Sequence, residues 1–156
     1  MNRIDAMFER VRAQDRAALV PFLTAGDPDL ALTAQLVPEL EAAGADLIEL
    51  GFAHSDPIAE GPTIQVASER ALASGTTVQR VIETVREIRG VSEIPILLMG
   101  YLNNVLAYGE ERLVSDCADA GVDGLIVVDA PFDEGDELQA ACDAHGVHRI
   151  LLVAPT

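Results

Sequence analysis

The sequence predicts an α/β fold with a parallel sheet, on three observations. A helix–glycine–strand unit occurs three times: LEAAGADLIEL (40–50), CADAGVDGLIVV (117–128) and CDAHGVHRILLV (142–153). The strands in it are near-continuous apolar runs, as expected of parallel strands covered on both faces. Helical and strand patterns then alternate along the whole chain, which parallel pairing requires.

Each element has its own signal. An N-terminal helix carries Ile4, Met7, Phe8 and Val11 at helical spacing, and ALVPFLT (18–24) reads as the first strand. A helix over 29–42 leads through Gly44 into the second strand. Gly44, Gly121 and Gly146 fit the residue after a helix end, where positive φ costs glycine nothing. A short extra helix is read at 62–73. The next, in TVQRVIETVREIRG, has Val78, Val81, Ile82, Val85 and Ile88 on one stripe, and IPILLMG (94–100) is the third strand. Helices at 110–120 and 133–145 flank the fourth and fifth strands. No linker or low-complexity run divides residues 1–156, so one domain is expected.

Composition narrows the function. Lys plus Arg is 10, Asp plus Glu is 26 and the net charge is −16; every basic residue is Arg. Such a surface repels nucleic acid and anionic membrane. It reads either as an ordinary solvated acidic surface or as adaptation to high salt, which screens self-repulsion. No stretch reaches the roughly 18 apolar residues of a membrane span, and the N-terminus has no signal-peptide core. A cytoplasmic protein is the expectation. Cys117 and Cys142 lack any metal or redox spacing and read as small buried apolar residues. His54, His145 and His148 form no ligand set.

The strand C-terminal ends carry the chemistry. They run into TAGDPD (24–29), GFAHSDPIAEGPT (51–63), GYLNN (100–104), DAPFDEG (129–135) and APT (154–156), polar loops rich in Gly and Pro. Loops of this kind on one face suit a barrel enzyme. The rival is an open doubly wound sheet, but no glycine-rich phosphate loop follows any strand. Alternation places Leu47, Glu49 and Gly51 on one face of the second strand. A buried carboxylate there has its pKa raised toward a useful range for proton transfer; the other reading is a strand-terminal Glu paired with an Arg. Glu60, on the following loop, is a second acid that can take a different role. Asp56, before Pro57, is a third, or a turn residue.

The stretch from PFLTAGDPD through GADLIELGFAHSDPIAEGPTIQVASERAL resembles the tryptophan synthase α subunit family. PILLMGYLNNVLAYG, GVDGLIVVDAPFDE and LLVAPT follow in the family's order, so the resemblance covers essentially the whole chain. The IELG…SDP…GPTIQ segment is its specific part. The resemblance implies a (β/α)8 TIM barrel, here incomplete with about five parallel strands. It implies a lyase that cleaves indole-3-glycerol phosphate by a retro-aldol step in tryptophan biosynthesis, with no cofactor of its own. Glu49 matches the general acid/base, and Glu60 stands where an Asp that stabilises the indolenine nitrogen is usual. Phe22, Leu98, Tyr101, Val127, Asp129 and Val153 fall in stretches that line the indole pocket. Asp56, Pro57, Asn104 and Pro131 match loops that meet the β subunit, a pyridoxal-phosphate enzyme, in an α2β2 assembly.

Two departures stand out. Glu60 is one methylene longer than Asp. Ala53-His54 replaces the usual Pro-Phe/Tyr, and His54 reads either as a pH-tuning loop residue or as a plain residue of the subunit contact. With five strands where a full barrel has eight, edges are expected at the first and fifth strands, along with weak phosphate binding. The competing readings are a lyase acting without a β partner, a non-catalytic fragment that tunes a β subunit, and another phosphate-binding barrel enzyme.

Overall fold

A computed structural model describes residues 2–131 and 135–153. In chain order it contains α1 (Arg3–Ala13), β1 (Phe22–Thr24), α2 (Leu30–Ala42), β2 (Ile48–Gly51), α3 (Pro62–Ala73) and α4 (Val78–Ile88). Then come β3 (Ile96–Gly100), α5 (Leu102–Tyr108), α6 (Glu110–Ala120), β4 (Gly124–Val127), α7 (Asp136–His145) and β5 (His148–Ile150). The strands form one five-stranded sheet in the order β1-β2-β3-β4-β5, with every pair parallel. Consecutive strands are neighbours throughout. That is the winding of a barrel, since a doubly wound sheet reverses direction part-way.

The predicted helix ends are borne out by cap chemistry. Asp29 accepts from the Leu32 amide at 2.8 Å at the start of α2, Thr77 caps α4, and Pro62 opens α3 where its missing N–H costs nothing. Gly44, Gly121 and Gly146 have φ of +106°, +86° and +69° just past their helices. The stretch GYLNN departs from its reading as a loop: from Leu102 it is the helix α5. Tyr101 N–H donates to Asn104 Oδ1 at 3.2 Å, and Leu102 N–H donates to Asp129 Oδ1 at 2.6 Å. The second of these acceptors arrives from the loop after β4. The predicted start of the last helix, residues 133 and 134, and the APT loop lie outside the described residues.

The two faces of the sheet bury different partners. Ile48, Leu50, Ile96, Leu98, Leu125 and Val127 pack in one cluster with Val37 of α2, Val81, Ile82, Val85 and Ile88 of α4, Leu113 and Cys117 of α6, and Leu138 of α7. The opposite, inner face is the smaller cluster: Leu47, Leu97 and Ile126, with Met99 and Ile150 at its edge. Ile4, Met7 and Val11 of α1 close this inner face. Phe8, grouped with them by spacing, is 42% exposed; it lies a quarter-turn round the helix from Met7, off the buried stripe. Cys117 and Cys142 are fully buried, and burial pushes their thiols up to about 12 and about 11. Among the described residues no helix is long and apolar enough to cross a membrane.

At the strand N-terminal ends the repeated unit performs one repeated task. Asp46 N–H donates to Leu19 O at 2.9 Å while its carboxylate accepts from Leu19 N–H at 2.9 Å. Asp123 does the same with Ile96, at 2.9 Å and 2.8 Å. Arg16 grips Asp46 through two contacts of 2.6 and 2.7 Å. Arg89 and Arg3 hold Asp123 at 2.8 and 3.1 Å. Each buried acid thus stitches its strand to the preceding one with its charge compensated. In the third copy His148 takes the equivalent place and meets Asp5 at 3.1 Å.

Candidate active site

The register defines two layers on the inner face. Phe22, Glu49, Leu97, Gly124 and His148 are successive partners across the sheet. One step nearer the C-terminal ends come Thr24, Gly51, Met99, Ile126 and Ile150. Glu49 therefore lies in a largely apolar layer beneath Met99 and Ile126. It is half-buried, and burial alone raises its pKa. Among the described residues no basic side chain pairs with it, as an Arg-paired Glu would require. The Phe22 ring lies over Gly51: a Cβ there would stand 2.6 Å from Phe22 Cζ. Phe22 also walls a cavity of about 220 Å³ reaching to α2 and α3, lined as well by Thr24 and Ile64. Thr24 Oγ1 is the buried side-chain oxygen without a hydrogen-bond partner among the described residues.

Glu60 is held from the neighbouring strand end. The Tyr101 hydroxyl, just past β3, donates to Glu60 Oε2 and accepts from the Ala59 amide at 2.9 Å. Tyr101 is 5% exposed, and burial, with the Glu60 hydrogen bond second, pushes its pKa up to about 12. Asp129 is exposed and acts on Tyr101 through its charge.

Three expected pocket residues are placed elsewhere. Leu98 and Val127 point into the helix layer; their strands present Met99 and Ile126 inward instead. Val153 lies beyond the end of β5 and is 89% exposed; counting alternation on from Ile150 puts Leu152 on the inner side. Of the loop residues matched to a partner surface, Asp56 and Pro131 are exposed, Pro57 is buried and Asn104 is half-buried. Asn104 is engaged in capping α5, and the Pro131 carbonyl accepts from Arg149 at 3.1 Å. Met99 and Ile126 are the residues that sequence reasoning missed.

A singly wound parallel sheet, closed below by a helix and carrying on its inner face a half-buried acid with no ion-pair partner among the described residues, is part of a (β/α)8 barrel. Comparison with known proteins specifies which. The family model for the tryptophan synthase alpha chain matches residues 8–156. The tryptophan synthase alpha chain of Citrifermentans bemidjiense is 54% identical over all 156 residues, which cover 58% of that protein. That of Geotalea uraniireducens is 52% identical with the same coverage of 58%. The crystal structure of tryptophan synthase subunit alpha from Legionella pneumophila superposes with a TM-score of 0.93 at 43% identity, over 96% of this chain and 57% of that one. A tryptophan synthase chain from M. tuberculosis gives 0.92 at 38% identity, over 97% and 61%. The chain belongs to the tryptophan synthase alpha chain family. It spans somewhat under three-fifths of the length of the relatives it matches, and its five strands are an incomplete barrel of that family.

Proposed function

We propose that the protein to which this chain belongs is a lyase that cleaves indole-3-glycerol phosphate to indole and glyceraldehyde 3-phosphate. The observation that carries this reading is Glu49: an inward acid with no cation beside it among the described residues and a pKa raised by burial. A carboxyl raised in this way is a stronger proton acceptor than an exposed one. In the proposed step indole C3 gains a proton, with Glu49 helping, and the ring nitrogen becomes a cationic indolenine. Glu49 takes the glycerol hydroxyl proton, the bond from C3 to the glycerol carbon breaks, and its electron pair returns to the ring. Glu60 stabilises the cationic nitrogen. Phe22, Met99 and Ile126 supply the apolar wall, with Tyr101 and Asp129 near the mouth.

The same reading gives this chain no cofactor of its own. Pyridoxal phosphate belongs to a β subunit met through Asp56, Pro57, Asn104 and Pro131 in an α2β2 assembly in the cytoplasm. A structural neighbour from Pyrococcus furiosus is a tryptophan synthase complex, which supports a partner.

The test is indole release from indole-3-glycerol phosphate, with and without a β subunit, in the barrel completed by a relative's C-terminal segment. Glu49→Gln is expected to lower the rate by roughly 10²–10⁴-fold. It is also expected to match or exceed the parent in Tm at pH 7, because removing an unpaired half-buried charge relieves its desolvation. Turnover within tenfold of the parent would refute the role of Glu49.

A further inference from the structure

The loop between β2 and α3 carries Glu60 and is closed by a chain of contacts that begins at His54. The Asp56 amide donates to His54 Nδ1 at 3.1 Å. The His54 ring lies 4.6 Å from the Tyr101 ring, tilted by 42°. The Tyr101 hydroxyl then binds the loop twice more, accepting from Ala59 N–H and donating to Glu60. We propose that His54 and Tyr101 are positioning residues for Glu60, and that protonation of His54 opens this clasp. The inference rests on the proposed function only in treating Glu60 as a reacting group.

The physical reason is the donor count. A ring nitrogen that accepts from an amide carries no proton, whereas an imidazolium bears N–H on both nitrogens. Protonated, Nδ1 would face the Asp56 N–H as donor against donor, and that bond is lost. Among the described residues three acids lie on the clasp or act on its tyrosine. Asp56 lies on its own loop, Glu60 is bound to the tyrosine against which the ring stacks, and Asp129, on the loop after β4, acts on the same tyrosine. None of the three is in an ion pair among the described residues. An imidazolium is therefore drawn off the backbone and toward these carboxylates, where it competes with Tyr101 for Glu60.

The experiment is a proton–nitrogen NMR titration of the chain from pH 8 to 5, following the His54 ring and the Asp56 and Ala59 amides. Both amides are expected to move together with the His54 ring signals. His54→Phe keeps the stack and is expected to leave both amides flat across that range. Tyr101→Phe is expected to uncouple Ala59 while Asp56 still follows His54. An Ala59 amide that ignores the His54 titration in the unmodified chain overturns the proposal without any variant. So does a titration that persists at the same midpoint in His54→Phe. No turnover is read, so failure here leaves the lyase assignment standing, and failure of that assignment leaves the clasp standing.

Discussion

Gly51 lies where β2 leaves the sheet, with the Phe22 ring of β1 resting on it. A methyl group at this position would stand 2.6 Å from Phe22 Cζ and 2.8 Å from Cε2. Carbon atoms settle at about 3.5–4.0 Å, so the ring must retreat by about 1 Å. The Gly51 backbone is not in the left-handed region, so the penalty of Gly51→Ala is steric rather than conformational. Overpacking of this kind costs about 1–3 kcal/mol. In a chain of this size each kcal/mol lowers Tm by about 2–4 °C. In the proposed function the displaced ring is also a wall of the pocket, where a shift of about 1 Å can cost on the order of 100-fold in rate. A double-mutant cycle with Phe22→Ala isolates the clash, read by urea melts. Once the ring is gone, the added methyl should cost about zero or stabilise slightly by stiffening the unfolded chain, giving a coupling of about 1 kcal/mol or more. A penalty for Gly51→Ala that is the same, within about 0.3–0.5 kcal/mol, in both backgrounds would refute the packing argument.

Arg16, followed by the Leu19 amide, holds the buried Asp46 carboxyl well below the usual range. A lowered folded pKa stabilises above the unfolded value of about 3.9 and is lost as pH falls. Asp46→Asn should therefore cost about 1–3 kcal/mol at pH 7, the Arg16 side chain being partly exposed, and the gap should narrow by about 1 kcal/mol on approach to pH 3. A pH-independent gap in urea melts would contradict the charge pairing. The net charge of −16 predicts that molar NaCl raises Tm by screening self-repulsion; a flat salt profile would mark the acidic surface as ordinary.

Much of the candidate site is legible because β2 is interrupted. In LIELGF the single carboxylate breaks the apolar run and reveals which alternate residues share a face, so Glu49 falls on the inner side with Leu47 and Gly51. The runs IPILLM and GLIVV have no such break, and the phase of β3 and β4 is invisible in them. That is why the sequence points to Leu98 and Val127 where Met99 and Ile126 project inward. The phase is decided by register, which pairs Gly51 with Met99 and Met99 with Ile126.

Local chemistry in the chain was enough to specify the alternation of elements, the glycine helix ends, the parallel sheet and the acids at 49 and 60, since each depends on residues a few positions apart. Other features came into view only in three dimensions. The Asp129 cap on α5, the phase of the unbroken strands, and the hold of Tyr101 on Glu60 with His54 stacked behind it join residues 27 to 47 positions apart. Separations of that length are closed by the winding of the sheet, and no local preference records them.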